Sequence, residues 1–204
     1  MATGISSSAV RRFLLLSVLL TASGCAVEHG PETTITVDDY AVATPHDAWE
    51  RDTGSSALRL VRRERSGGGE VLGYLRVQPF GPYLDTEDEA RKNGTVTAVL
   101  ADLEGLLRRE IEARTEVTQW SGAAWTWREP TLGVMLRFDD LQQQLHHAET
   151  APCFNTAVLL LAGDGLHFVH GCGYLDETET LEGEIDTLLA GLTHAGRRLL
   201  PETE

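Results

Sequence analysis

The fold is decided by two apolar runs with a short turn between them: Thr156-Ala157-Val158-Leu159-Leu160-Leu161-Ala162-Gly163-Asp164-Gly165-Leu166-His167-Phe168-Val169-His170. Two such runs joined by a Gly-Asp turn are typical of a β-hairpin. If the turn holds only those two residues, Leu161 faces Leu166 and Ala157 faces His170. A three-residue turn would shift the pairing by one residue and change which side chains share a face.

Outside this hairpin the pattern alternates between strands and helices. Apolar residues recur every three or four positions over about 95–114 and again from Thr178 to about Leu192, which predicts two helices with one apolar face each. Strands are predicted over 35–42, 58–63, 71–77, 117–127 and 134–138, and a loop over 79–93. This order predicts a single α+β domain over 35–200. In it, one antiparallel sheet of about six to seven strands carries two main α-helices.

Residues 1–24 have the three zones of a secretory signal peptide. Arg11 and Arg12 supply positive charge, the apolar run 13–20 follows directly, and small residues then lead to Cys25. The apolar run has 8 residues, whereas a membrane-spanning helix needs about 20. A cleaved signal is therefore favoured over a membrane-spanning anchor.

The end of this signal, Ala22-Ser23-Gly24-Cys25, resembles the lipobox of bacterial lipoproteins. The resemblance implies that Cys25 is acylated and becomes the new N-terminus, with 25–34 as a lipid-anchored tether. Two or three acyl chains would hold the protein stably at a membrane. Because Ala26 is not the Asp associated with inner-membrane retention, the outer membrane, at its periplasmic face, is favoured. The alternative is an ordinary signal peptide whose Cys25 enters a disulfide.

The charge of the chain restricts its partners. The whole sequence has 17 basic and 31 acidic side chains and a formal net charge of −14, and loss of residues 1–24 removes two arginines. A strongly negative protein repels phosphate backbones, so nucleic acid is not expected as a partner.

A further resemblance concerns the domain. Tyr40-Ala41-Val42, followed by Pro45 and Trp49, resembles the opening pattern of PsbP-like domains, which are common in bacterial lipoproteins. The order of hairpin, central helix, further strands and terminal helix over about 35–197 is also similar. The resemblance implies a PsbP-like sandwich with a binding or assembly role.

Two cysteines remain once Cys25 is assigned to lipid. With the two-residue turn, Cys153 and Cys172 share one face of the hairpin but lie diagonally, two residues out of direct register. A bond between them needs the chain near Pro152 to bend inward, since bridged Cα atoms lie within about 7 Å. Disulfides persist in exported proteins, so we expect a Cys153–Cys172 disulfide with a structural role.

The sequence offers little sign of a metal or catalytic site. His167 and His170 are three residues apart on a strand and point to opposite faces, while His146 and His147 diverge in a loop. No metal site and no cofactor are therefore expected. The sequence contains no G-x-S-x-G, H-E-x-x-H, P-loop or G-x-G-x-x-G motif, so no catalytic residue is assigned.

Three tryptophans, Trp120, Trp125 and Trp127, lie close together in sequence. They could line a groove for a peptide, a glycan or an apolar ligand, or fill the core beneath the long helix. The predicted function is a non-enzymatic binding or assembly module of the bacterial cell envelope, with an envelope protein or a small ligand as its partner. The alternative is a hydrolase or carbohydrate-active enzyme with an unrecognised acidic site.

The lipid anchor gives the first testable prediction. Cys25→Ser removes the only thiol of the lipobox, so we expect the protein to be released from membranes. Partitioning between aqueous and detergent phases measures this directly. Unchanged recovery of the variant in the detergent phase would contradict the assignment.

Overall fold

The computed structural model describes residues 33–44, 49–63, 69, 71–143, 150–163, 165–174 and 178–201. The predicted signal peptide, Cys25 and most of the tether lie outside these ranges. Within them, no helix is long and apolar enough to cross a membrane.

The described residues form twelve strands and three α-helices. The strands are β1 (Thr33–Val37), β2 (Tyr40–Thr44), β3 (Trp49–Arg51), β4 (Leu58–Arg63), β5 (Val71–Pro82), β6 (Val117–Trp120), β7 (Trp125–Trp127), β8 (Leu132–Gln143), β9 (Thr150–Ala162), β10 (Gly165–Tyr174), β11 (Thr193–His194) and β12 (Arg197–Arg198). The helices are α1 (Glu87–Lys92), α2 (Val96–Arg114) and α3 (Thr178–Ala190).

The strands form two antiparallel sheets, whereas the sequence predicts one. The large sheet has the order β3-β4-β5-β10-β9-β8-β6, with β7 also paired to β8, and the small sheet has the order β1-β2-β11-β12. The expected count of six to seven strands is too low because several strands have only two to five residues. So short a segment shows too little alternation to be recognised. The α+β arrangement, with helices packed on an antiparallel sheet, is confirmed.

The predicted hairpin forms with its two-residue register. Leu161 pairs with Leu166 and Ala157 with His170 along β9 and β10. The same strands pair with β8 on one side and β5 on the other. The hairpin therefore lies at the centre of the large sheet, and its alternation decides which residues face each side.

The two sides of the large sheet are covered by different elements. Leu136, Ala157 and Phe168 lie on the side that α2 covers, which we call the α2 face. Val158 and Val169 lie on the opposite side, which α3 and the small sheet cover and which we call the α3 face. Each face has its own apolar core, so the central strands are buried on both sides.

Two glycines of β10 allow α3 to lie close to the sheet. A side chain at Gly171 would meet Ile185 of α3 at 2.6 Å, and one at Gly173 would meet Phe154 of β9 at 2.5 Å. Both are closer than carbon atoms can approach without displacement. The small residues on either side of Cys172 are thus a packing requirement of the α3 face.

Residues 79–93 are not a loop as predicted. Strand β5 continues to Pro82, and its prolines are tolerated because β4 pairs with β5 only as far as Val77, which leaves an unpaired edge. Helix α1 then begins after Thr86, whose side chain and that of Glu89 form a reciprocal capping box. Acidic residues in the first turn and basic ones in the last favour this short helix.

A buried carboxylate, Glu87, joins α1 to the small sheet. Its side chain is 2 % exposed and lies 2.7 Å from Arg91 and 3.0 Å from Arg197 of β12. The backbone N–H of Gly163, in the β9–β10 turn, donates to it at 3.3 Å. Burial alone raises the pKa of Glu87, but hydrogen bonds from Arg197, Arg91 and Gly163 outweigh it and lower the pKa below 4.5.

We expect Glu87→Gln to destabilise the fold by about 2 kcal/mol, because a buried charge-assisted network loses its acceptor. Since the folded pKa of Glu87 is lowered, the wild-type advantage is present above about pH 4.5 and shrinks as the pH falls through the folded value. Urea denaturation at pH 7 and pH 3.5 measures both effects. Glu112→Gln, at an exposed position of α2, is the matched control, and an equal loss in both variants would contradict the role of Glu87.

Candidate functional site

A cavity of about 740 Å³ opens on the α2 face. It exists because α2 packs on β8 and β9 and ends at Arg114, while the sheet continues beyond the helix towards β5 and β4. The strands β5, β8, β9 and β10 form its floor, and the last turn of α2 and the loop around Gly54 form its walls.

A chain of hydrogen bonds runs across this floor. Asp140 accepts from Thr115 Oγ1 at 2.6 Å and from Asn155 Nδ2 at 2.8 Å. Asn155 Oδ1 lies 2.9 Å from His170 Nε2, and His170 Nδ1 lies 3.2 Å from the Tyr74 hydroxyl. Since an amide oxygen only accepts, His170 donates from Nε2 and accepts from Tyr74 at Nδ1. The chain therefore has one direction, from Tyr74 to the carboxylate.

His170 is held neutral in this chain. Burial lowers the pKa of its imidazole to about 4, the Asp140 carboxylate opposes that shift, and the cations Arg76 and Arg114 add to it. Both ring nitrogens have hydrogen-bond partners, which fix the orientation of the imidazole in the floor of the cavity.

The predicted Cys153–Cys172 disulfide is not formed, and both residues are buried free cysteines. Cys153 pairs with Tyr174 and Cys172 with Asn155, so the two lie diagonally as expected. Their side chains are close enough for a hydrogen bond between the two thiols, but the sulfur atoms are not bonded to each other. A hydrogen bond with the Cys153 thiol, together with burial, raises the pKa of Cys172 well above 9, which keeps it protonated and weakly nucleophilic.

The charged groups around the cavity are mostly paired with one another. Arg59 lies 3.1 Å from Asp52, and Arg114 pairs with Glu110. The third carboxylate, Asp140, is 1 % exposed and is held by the hydrogen-bond chain. Each carboxylate therefore has its own partner.

The three tryptophans do not line one groove. Trp120 lies on the α2 face, 5.6 Å from the Phe138 ring and 4.8 Å from the Arg108 guanidinium. Trp127 is 6 % exposed in the core of the α3 face. Trp125 packs 5.1 Å from Trp127 and remains 41 % exposed. The predicted cluster is thus divided between two sides of the sheet.

The histidines are separated as the strand period predicts. His167 lies 2.6 Å from the Tyr40 hydroxyl on the α3 face, whereas His170 lies on the α2 face. His146 and His147 fall outside the described residues. In the part of the chain that the structure describes, no group of three His, Cys, Asp or Glu residues could hold a metal ion.

His170 and Cys172 line the cavity, but its other polar residues are not those that the sequence singled out. Tyr74 and Arg76 of β5, Asp140 of β8 and Asn155 of β9 come from three separate places in the chain and meet only through strand pairing. The only available signal is the alternation within each strand. Without the register between strands, that signal does not show which polar residues become neighbours.

Comparison with known proteins finds no matching family model and no matching curated protein. Several solved structures are similar to the chain, among them the following two. One is the crystal structure of LpqN, involved in cell envelope biogenesis of Mycobacterium tuberculosis, at 14 % identity and a TM-score of 0.46, covering 80 % of this chain and 90 % of that one.

The other is the solution structure of cyanobacterial PsbP from Synechocystis sp. PCC 6803, at 15 % identity and a TM-score of 0.42, covering 86 % of this chain and 98 % of that one. PsbP-like domains are the family that the sequence pattern resembles. Both TM-scores lie below 0.5, so the function of neither protein transfers to this chain.

The state of the two cysteines can be measured with a thiol reagent. In the Cys25→Ser chain, we expect no rapid reaction with DTNB in the folded protein, because Cys153 and Cys172 are 0 % and 3 % exposed. In guanidinium without reductant, two thiols per chain should react, and a Cys153→Ser variant should show one. No reactive thiol after unfolding would instead establish the disulfide.

Proposed function

We propose that the protein is a lipoprotein of the bacterial cell envelope, anchored through lipid on Cys25, whose domain binds a small ligand without transforming it. The observation that carries the proposal is the cavity at the end of α2. The lipobox pattern supports the anchor, and Ala26 supports an outer-membrane position. The resemblance to PsbP-like domains supports a binding role.

The size and walls of the cavity support binding of a small molecule. Ligand sites typically have volumes of about 300–1,000 Å³, and this cavity has about 740 Å³. Ile111, Phe138 and Phe168 line the cavity, and the half-buried ring of Tyr74 lies on its floor. Apolar side chains around a concave site are the surface that a ligand with an apolar part would cover.

The protonation states around the floor support binding rather than chemistry. His170 is neutral and engaged at both nitrogens, and Cys172 carries a raised pKa. The directional chain from Tyr74 to Asp140 holds these groups in place before a ligand arrives. A rigid, preformed floor reduces the entropy lost on binding.

Tyr74→Ala tests the site with an uncharged solvatochromic dye such as Nile red. We expect saturable binding to the full chain carrying Cys25→Ser, and about tenfold weaker binding after Tyr74→Ala, because contact with a large aromatic side chain contributes about 1.5–3 kcal/mol. Tyr83→Ala is the matched control, since Tyr83 is also half-buried and does not line the cavity. Absence of saturable binding, or equal weakening by both variants, would overturn the proposal.

A further inference from the structure

We infer that the cavity binds a ligand that carries a carboxylate or phosphate group on an apolar body, with Arg76 contacting the anionic group. This inference rests on the proposed function, because it names the class of ligand for the same cavity. Three observations carry it: a row of basic residues across the floor, the lack of a partner for Arg76 among the described residues, and the apolar surface beside them.

The basic row is set by strand pairing. Arg59 of β4 lies directly opposite Arg76 of β5, and Arg76 lies directly opposite His170 of β10. The three side chains share the α2 face. Like charges placed directly opposite each other on adjacent strands destabilise a sheet. Asp52 offsets the charge of Arg59, so a further negative group would be favourable at Arg76.

Among the residues that the structure describes, Arg76 is the member of this row without a partner. Arg59 pairs with Asp52 and lies 5.5 Å over the Tyr74 ring. Arg114, on the wall of the cavity, pairs with Glu110. Arg76 has no hydrogen bond or ion pair with any residue in the described ranges, and it is exposed into the cavity. Its planar guanidinium suits two-point binding of a carboxylate or phosphate.

The negative charge of the rest of the chain makes Arg76 the position where an anion is attracted. The chain as a whole has a formal net charge of −14, so its surface repels anions in general. Asp52, Glu110 and Asp140 at the cavity are each held by a partner of their own. An anion is therefore attracted where Arg76 stands, and the uncharged His170 beside it adds no second full charge.

The apolar body has its own surface beside Arg76. The ring of the half-buried Tyr74 lies on the floor. Phe138 and Phe168 also line the cavity, and Ile111 lies on the α2 side. A ligand whose anionic group contacts Arg76 can extend over this apolar area. The ligand is therefore expected to have an anionic group at one end and an apolar part at the other.

The test is displacement of the uncharged dye from the full chain carrying Cys25→Ser, with decanoate, decyl phosphate and decanol below their aggregation limits. We expect both anions to compete at least tenfold better than decanol. Arg76→Gln should weaken competition by both anions about tenfold and change competition by decanol less than about twofold. Arg76→Lys should weaken competition by the anions less than Arg76→Gln does. Because Arg76→Gln also relieves the repulsion from Arg59, its melting temperature should not fall.

Arg109→Gln is the charge-matched control, since Arg109 is exposed on α2 and does not line the cavity. Equal weakening of anions by both variants would show a bulk charge effect and overturn the inference. Decanol competing as well as the anions would overturn it too, while leaving the proposed function intact. If acetate or inorganic phosphate competed as well as the decyl compounds, the part of the inference that gives the ligand an apolar body would be overturned. Failure of every compound and of the dye would overturn the proposed function itself.

Discussion

The structure depends on the register between β9 and β10. Each side chain of the central hairpin is assigned to a face by this register, and both faces are buried. A slip of one residue would move His170 and Cys172 to the α3 face. It would also bring the large side chains of this strand against Ile185, where Gly171 now allows α3 to approach. The tight packing of α3 thus stabilises the same register that builds the cavity.

Long elements could be predicted from the sequence, and short ones could not. Helix α2 and the hairpin have many apolar residues with a clear period, and the faces that this period predicts to be apolar are the ones buried by tertiary contacts. Helix α1 has six residues and gains its stability from capping and from Glu87. Strands β11 and β12 have two residues each, so they are defined by their pairing partners rather than by their own composition.

The candidate site was hidden from sequence reasoning for a related reason. Tryptophans and cysteines attract attention by residue type, yet Trp120 and Trp127 lie on different faces and the cysteines are offset along their strands. The residues that matter here are ordinary polar ones, such as Asn155, which become unusual only when buried beside Asp140. Buried polar groups need partners, and those partners are known only once the sheet is assembled.

The small sheet has a consequence for the order in which the chain can fold. It pairs β2 near the start of the domain with β11 near its end, and Thr193 hydrogen-bonds to Ala41 across 152 residues. A chain that emerges from its N-terminus exposes Tyr40 and Val42 long before their partners exist. Strand β2 can pair with β11 only when nearly the whole sequence is available, whereas the central hairpin can form from residues that are close in sequence. Closure of the small sheet therefore marks completion of the domain.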